Sequence, residues 1–403
     1  MSNAAKHYLC YPKDENVKPY LGFAFRPFFL ILPWYVVCIT LFWGLNFGGI
    51  IIFLPFLHPA IWHIHEILFA SGYAALGAFL LTALPELFPG QIPIIGKKLK
   101  YIVLLWILGR FSFWFMDIFG VFIAMITNVA FALLILVICF KPIVLDPLQR
   151  HSSIAYLTIA IVMIQIMFFI STSGYFEIEP IKWLYMGLSF FIALIILALR
   201  RIQTEEINGF MEELGMEEKF IAKSFRYNLS IFCILLFGIV EFFVQNSILG
   251  WLCFACAASI LGIMNDYRLK YESILSHPFV LFFATVFIMI AIGFAILGLS
   301  YLEVINEFSY ARHVLSIGGF GGAILVAMFI ISFVHTGRKP KCDKWILLAF
   351  FLLVFAVALR YFTAQLGSLA YLLSSFCFAA CFAVYFFRFK NYLLNKRADG
   401  LLG

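Results

Sequence analysis

Charged side chains are scarce in this sequence: they make up 12% of its 403 residues, against about 25% in a soluble domain. The sequence contains no phosphate-cradling glycine loop, no HExxH and no nucleophile triad spacing. Ala257, and not a histidine, follows the CxxC formed by Cys253 and Cys256, which excludes covalent attachment of a c-type haem. Hydrophobic residues make up 64% of the chain and the mean hydropathy is +1.02. The composition therefore excludes a soluble enzyme and predicts an all-α, polytopic membrane protein.

The apolar runs predict about twelve transmembrane helices, since a helix needs about 20 residues to cross a bilayer. The predicted spans are 27–47, 61–85, 100–117, 119–140, 152–172, 183–200, 226–246, 248–265, 279–299, 310–334, 344–363 and 366–388. Two membrane halves follow, 27–200 and 226–388, with a cytoplasmic connecting loop at 201–225 and cytoplasmic tails at 1–26 and 389–403. We see no convincing internal sequence repeat.

The basic residues predict the orientation of these spans. With the N-terminus inside, 24 of the 28 Lys and Arg residues fall in inner segments and 3 in outer loops. Such a bias is the positive-inside signal, and it predicts an N-in/C-in protein. The net charge of +7 is explained in this way, without a nucleic-acid partner.

Five of the eight histidines stand at the ends of predicted spans. By the predicted orientation, His63, His65 and His313 lie at the outer side, and His277 and His335 at the inner side. The 22 residues from His313 to His335 correspond to about 33 Å of helix, so these two cannot share a metal. Ionisable groups at membrane depth usually mark a function, and imidazole commonly ligates haem iron and copper. The alternative is that these histidines are solvated at the interface.

The segment Trp62–Glu66 offers further candidates. His63 and His65 cannot face one point on a helix, because two residues turn the chain by about 200°. Glu66 follows His63 by three residues, on its face, and could orient that imidazole. Trp62 is expected at the membrane interface with a solvated indole N–H.

Three charged residues and a glycine run stand inside or beside the spans. Arg110 needs a partner, which could be a haem propionate, a lipid phosphate or Asp117, unless it snorkels to the surface. Glu241 is expected to reach the interface, and Arg26 to be an ordinary interfacial arginine. The run Gly318–Gly322 allows close approach of another helix or of a flat macrocycle, and helix packing is the commoner explanation.

Several of these elements, in this order, resemble the NnrS family. They are Leu21–Phe29, Trp62–Glu66, Leu80–Pro85, Gly109–Arg110, His277–Pro278, Ala311–His313 and His335–Arg338. The family consists of twelve-span inner-membrane proteins associated with haem, copper and the bacterial response to nitric oxide. The resemblance implies that the five span-end histidines are candidate ligands of iron or copper. One departure is Glu86-Leu87, where members often have Asn-Trp.

The leading hypothesis is a protein of the bacterial inner membrane that binds haem b, and copper as a further cofactor, and protects against nitrosative stress. Nitric oxide or an iron–nitrosyl species would be its partner, and catalysis, buffering and sensing all fit the same ligands. His63 or His65 with His313 would form an outer centre, and His277 with His335 an inner one. A secondary transporter with six plus six spans is the alternative, disfavoured because transporter sites lie near the bilayer midplane. A terminal-oxidase-like subunit ranks last, because no tyrosine crosslink motif is present.

Overall fold

The computed structural model describes residues 11, 17–52, 55–88, 91–146, 151–244, 246–268, 274 and 277–403. The long elements of these residues are all helices, which confirms the predicted all-α class. We number them α1 Phe25–Phe47, α2 Pro59–Leu87, α3 Gly96–Trp114, α4 Val121–Val144, α5 Ser152–Thr172, α6 Pro180–Glu213, α7 Ser224–Phe243, α8 Ile248–Tyr267, α9 Pro278–Tyr301, α10 Phe308–Val334, α11 Lys344–Tyr361 and α12 Ser368–Leu394. Residues 1–10 and 12–16 of the predicted N-terminal tail lie outside the described residues.

Eleven helices of the described chain are long and apolar enough to cross a membrane. The remaining long helix, α3, carries Lys97, Lys98 and Lys100 in its first turns and Arg110 nearer its end. Each of the twelve predicted spans nevertheless coincides with one of the helices α1 to α12. The N-in/C-in orientation stays a prediction.

The connection predicted as a loop at 201–225 begins as helix. α6 runs without a break over 34 residues to Glu213, because the glutamate-rich segment after Arg201 favours helix. Asn208 then fixes the returning chain: its Nδ2 donates to Phe220 O at 3.0 Å, and Phe220 N donates to its Oδ1 at 2.8 Å. Residues 201–213 therefore extend the sixth helix.

The chain forms two compact units. The first comprises Met1–Leu184, Ile331–Lys341 and Phe382–Gly403, and the second comprises Tyr185–Ile330 and Cys342–Cys381. Helices α1 to α5 belong to the first unit, and α7, α8, α9 and α11 to the second. α6, α10 and α12 contribute residues to both.

Two helices, α2 and α10, change from α-helix to π-helix directly after a histidine. α2 becomes a π-helix at Glu66–Ser71, after His65. α10 becomes a π-helix at Val314–Gly321, after His313. Short π segments are rare and occur frequently at functional sites, so both histidines stand where a helix has been locally reshaped.

The helix that follows each π-containing helix also ends in a recurring way. A single turn and a left-handed glycine follow it: Met116–Phe119 with Gly120 (φ 81°) after α3, and Thr363–Leu366 with Gly367 (φ 55°) after α11. Arg110 and Arg360 lie in the final turns of these two helices. The same succession of features thus occurs twice, a structural repeat that the sequence alone did not indicate.

The glycine run of α10 is a helix-packing surface within the second unit. A Cβ on Gly318 would lie 2.9 Å from Met289 Cβ, and one on Gly319 would lie 2.7 Å from Ile290 Cγ1. A Cβ on Gly322 would lie 3.0 Å from a Leu353 methyl. α9 and α11 therefore approach where these side chains are missing, which is the predicted helix packing.

The prediction for Arg26 was wrong. Its side chain is fully buried, and its Nη1 donates to Asn395 O at 2.6 Å and Leu393 O at 3.0 Å. Its Nη2 donates to Gly403 O at 2.8 Å. The last carbonyls of a helix have no partner of their own, so Arg26 binds the C-terminal end of α12.

Candidate functional site

His65 is held by hydrogen bonds on both ring nitrogens. Its Nδ1 lies 3.0 Å from Glu66 Oε1, and Gln165 Nε2 lies 3.5 Å from its Nε2. An ionised carboxylate only accepts, so Nδ1 carries the proton and donates to Glu66. Nε2 is therefore left with its lone pair, directed at the amide of Gln165.

The ring of His65 is enclosed by aromatic side chains. Phe113 stacks on it with the ring centroids 3.8 Å apart, and Phe168 stacks at 5.0 Å. Phe169 contacts it edge-on at 5.5 Å. The imidazole is 0% exposed, so it lies entirely within the packed interior of the unit.

Glu66 also joins His65 to a buried arginine. Arg110 Nη1 donates to Glu66 Oε1 at 2.6 Å, and Trp114 Nε1 donates to Glu66 Oε2 at 3.0 Å. Arg110 Nη2 donates to Asn128 Oδ1, while Asn128 Nδ2 donates to Ala124 O at 2.8 Å. The expected partners of Arg110 were a haem propionate, a lipid phosphate or Asp117, whereas the structure shows Glu66. An ion pair this deeply buried needs such additional hydrogen bonds.

Two expectations for the start of α2 were wrong. Glu66 turns to His65 and not to His63, because Arg110 and Trp114 of α3 hold the carboxylate on that side. His63 instead stacks on Trp43, with 4.6 Å between the centroids. Trp62 is 1% exposed, because its indole packs edge-on against Trp114 at 4.9 Å and does not reach the interface.

His313 in the second unit shows the same proton arrangement. Its Nδ1 lies 2.7 Å from Ser309 O, and a carbonyl only accepts, so Nδ1 carries the proton. Arg360 Nη2 lies 3.1 Å from both Nδ1 and Nε2, so the guanidinium lies against the imidazole, on which Nε2 carries no proton. The guanidinium carbon of Arg360 lies 3.5 Å from the ring centroid of Tyr371. A histidine with a fixed Nδ1–H and an Nε2 lone pair facing a donor thus occurs in each unit.

A second buried ion pair lies beside His313 in the chain. Arg312 Nη2 donates to Glu241 Oε1 at 2.6 Å, and the Tyr301 hydroxyl donates to the same oxygen at 2.5 Å. The guanidinium carbon of Arg312 lies 3.5 Å from the centre of the Tyr185 ring. Glu241 is 4% exposed, so the expectation that it reaches the interface was wrong.

The two histidines predicted at the inner side lie against aromatic rings. His335 Nδ1 lies 3.4 Å from Glu86 Oε1, and its ring meets Phe23 edge-on at 5.2 Å. His277 precedes α9 and lies against Phe210, with 3.9 Å between the ring centroids. Partial burial lowers the pKa of His277, an effect that nearby Glu213 opposes.

The predicted pairings of these histidines stay predictions. His65 and His335 belong to the first compact unit, and His313 and His277 to the second. Within the part of the chain that the structure describes, three or more His, Cys, Asp or Glu side chains nowhere come together as a metal-binding group.

Sequence reasoning missed several residues of these sites. Gln165, Asn128 and Arg360 all contact the polar clusters but were not candidates. The signal that could have found them is a polar side chain inside an apolar run, which is expensive in a membrane and therefore rarely idle. Trp114 could not be found in this way, because indoles are common near span ends.

The chain has apolar helices of spanning length, and the buried pairs of Glu66 with His65 and Arg110 lie among them. These features define a multi-pass helical membrane protein. Within that class, the model of the family described as NnrS protein matches residues 19–397. The chain therefore belongs to the NnrS family, as the sequence resemblance predicted. No curated protein and no solved structure matches it.

Proposed function

We propose that this protein binds haem, with copper as a further cofactor, in the bacterial inner membrane and acts in the response to nitric oxide. The observation that supports the proposal is the shared state of His65 and His313. In both, Nδ1–H donates to an oxygen, and Nε2 keeps its lone pair. Histidines that ligate metals are generally held in this way by a partner on the other nitrogen.

The donor set fits the implied cofactors. Imidazole nitrogen is a usual ligand of haem iron and of copper. Gln165 Nε2 lies 3.5 Å from His65 Nε2 and Arg360 Nη2 lies 3.1 Å from His313 Nε2, and a ligand bond at either Nε2 would replace that contact. Bound haem would supply an iron atom that binds nitric oxide.

The residues around His65 would prepare it for this role. Glu66 fixes the ring orientation and the tautomer, and Arg110 holds that carboxyl group in place by donating to it. Phe113 and Phe168 stack on the ring and restrict its rotation. A ligand with restricted rotation and a dry environment binds a metal with less loss of entropy.

The test is a reduced-minus-oxidised optical spectrum of the detergent-purified protein, with and without nitric oxide, with iron and copper quantified on the same sample. His65→Ala and His313→Ala should each lower haem content, and Glu66→Gln should weaken binding by about 10- to 100-fold. Unchanged haem content in a well-folded His313→Ala protein would remove His313 from the ligands.

A matched control is available at the start of α2. His58 accepts a hydrogen bond from Ala60 N at 3.3 Å as the helix cap, and asparagine serves the same purpose. His58→Asn therefore removes an imidazole without removing the cap, and it should leave the spectrum unchanged. Membrane yield and gel-filtration profile, measured for every variant, separate loss of haem from loss of fold.

A secondary transporter is the second candidate, and the structural repeat favours it. Transporters are often built from two repeated halves, with ionisable residues inside the membrane. A colourless protein after expression with ample haem and copper would favour transport. Substrate uptake into proteoliposomes would then be the assay, with Glu241→Gln as the first variant.

A further inference from the structure

Arg360 is a buried cation without a carboxylate partner. The residue is 5% exposed, and its Nε and Nη1 make no hydrogen bond. Among the described residues no Asp or Glu forms an ion pair with it. A buried charge left unpaired is strongly unfavourable, so this guanidinium needs an anion from outside the described chain.

The first unit meets the same need with its own glutamate. Arg110 pairs with Glu66, the residue directly after His65, at 2.6 Å. Directly after His313 stands Val314, which carries no charge. The second unit therefore repeats the histidine and the arginine but omits the carboxylate.

The groups around Arg360 suit an anion of small size. Its Nη2 lies 3.1 Å from both ring nitrogens of His313, and Tyr371 packs under the guanidinium at 3.5 Å. An aromatic face favours the cation but does not neutralise it. His313 is half-buried, so the described side chains do not enclose this cluster completely.

We propose that Arg360, with His313 and Tyr371, binds a planar monovalent anion that offers two oxygen atoms, such as a carboxylate or nitrite. A guanidinium donates two parallel N–H bonds to such a pair of oxygens. The anion has two sources: a small free anion, or the propionate of a bound haem. The second source rests on the proposed function, and the first does not.

The free anion is tested on haem-free, full-length protein in detergent. Thermal unfolding is followed with increasing sodium formate or sodium nitrite at constant ionic strength. Because a ligand of the folded state alone raises Tm, saturating formate should raise it by about 2 °C or more. Arg360→Gln should abolish this rise.

Two further variants keep the test decisive. Arg200→Gln is the matched control, since Arg200 lies in the same unit and donates to Ser224 Oγ at 2.6 Å in an exposed position; it should keep the rise. Arg360→Lys keeps the charge and the fold but lacks the two-donor edge, and it should show a smaller rise. An equal rise in wild type and Arg360→Gln would overturn the proposal.

The propionate is tested by titrating haem and haem dimethyl ester into the same proteins. If the propionate is the anion, the Kd of wild type for the ester should be at least about tenfold higher than its Kd for haem. Arg360→Gln should bind haem and the ester with equal Kd. No response to formate or nitrite, together with equal binding of haem and ester by wild type, would overturn the proposal. A formate response that depends on Arg360 in a protein that binds no haem would support it, and would refute the proposed function alone.

Discussion

Replacing Glu66 by glutamine tests whether the buried network of the first unit depends on charge. The glutamate oxygens accept from three groups: His65 Nδ1 at 3.0 Å, Arg110 Nη1 at 2.6 Å and Trp114 Nε1 at 3.0 Å. Glutamine has nearly the same shape but one acceptor oxygen. Its NH2 group must face one of these donors, and Arg110 is left buried without an anion.

The expected loss of stability follows from the pair that is broken. Removing one partner of a buried ion pair costs about 3–5 kcal/mol. Replacing both partners by neutral groups costs much less, so Glu66→Gln combined with Arg110→Met should recover at least about 2 kcal/mol of that loss. The free energy of unfolding is measured in mixed micelles for wild type, both single variants and the double variant.

The matched control is Glu205→Gln, since Glu205 is exposed on α6 and its charge should matter little. Two results would refute the reasoning. One is a Glu66→Gln protein within about 1 kcal/mol of wild type. The other is a double variant whose loss equals the sum of the single losses, because the two residues would then not be coupled.

Three other predictions concern packing, the end of α12 and pH. Gly319→Ala should lower the free energy of unfolding by about 1–3 kcal/mol through overpacking, because the new Cβ would lie 2.7 Å from a side chain of α9. The control is Gly209→Ala, where the new methyl meets nothing within 4 Å. This change should leave the free energy of unfolding unchanged or raise it slightly. Arg26→Gln should release the end of α12, since it replaces a charged donor to four carbonyls and each such bond contributes about 1.5–3 kcal/mol. Limited proteolysis should then cut near the C-terminus where wild type resists. Hydrogen bonds from Arg397 lower the pKa of Asp399, so the folded state holds its proton less tightly than the unfolded chain. The resulting stabilisation is complete above the usual pKa of an aspartate and is lost as pH falls through the lowered value; Asp399→Asn should abolish this acid-side dependence in hydrogen exchange of the C-terminal residues, and an unchanged pH profile would contradict it.

The helices themselves were predictable because crossing a bilayer imposes a length and an apolar composition on each of them. α5 begins and ends where the apolar run does, at Ser152 and Thr172. The predicted span 183–200 covers only part of α6, because hydropathy detects the part inside the membrane and the last turns of α6 are polar yet helical. Hydropathy therefore locates a span better than it locates the end of a helix.

The histidine positions were visible in the sequence, but their partners were not. Glu66 was assigned to His63 by the spacing of a regular helix, and in the structure side chains of α3 hold it next to His65. Arg360 lies within the predicted span 344–363, but its place beside His313 was not predicted. Partners that come from other helices depend on tertiary packing, about which a single sequence carries no distance information.

The π segments have a consequence for how these sites could change over time. A wider turn in the middle of α10 changes the rotation of one end of the helix about its axis relative to the other end. The histidine end can then keep its direction while the glycine end turns to fit α9 and α11. One inserted residue, accommodated in this turn, would change the direction of the imidazole without rebuilding the packed surface, so the histidine position and the helix packing can change independently.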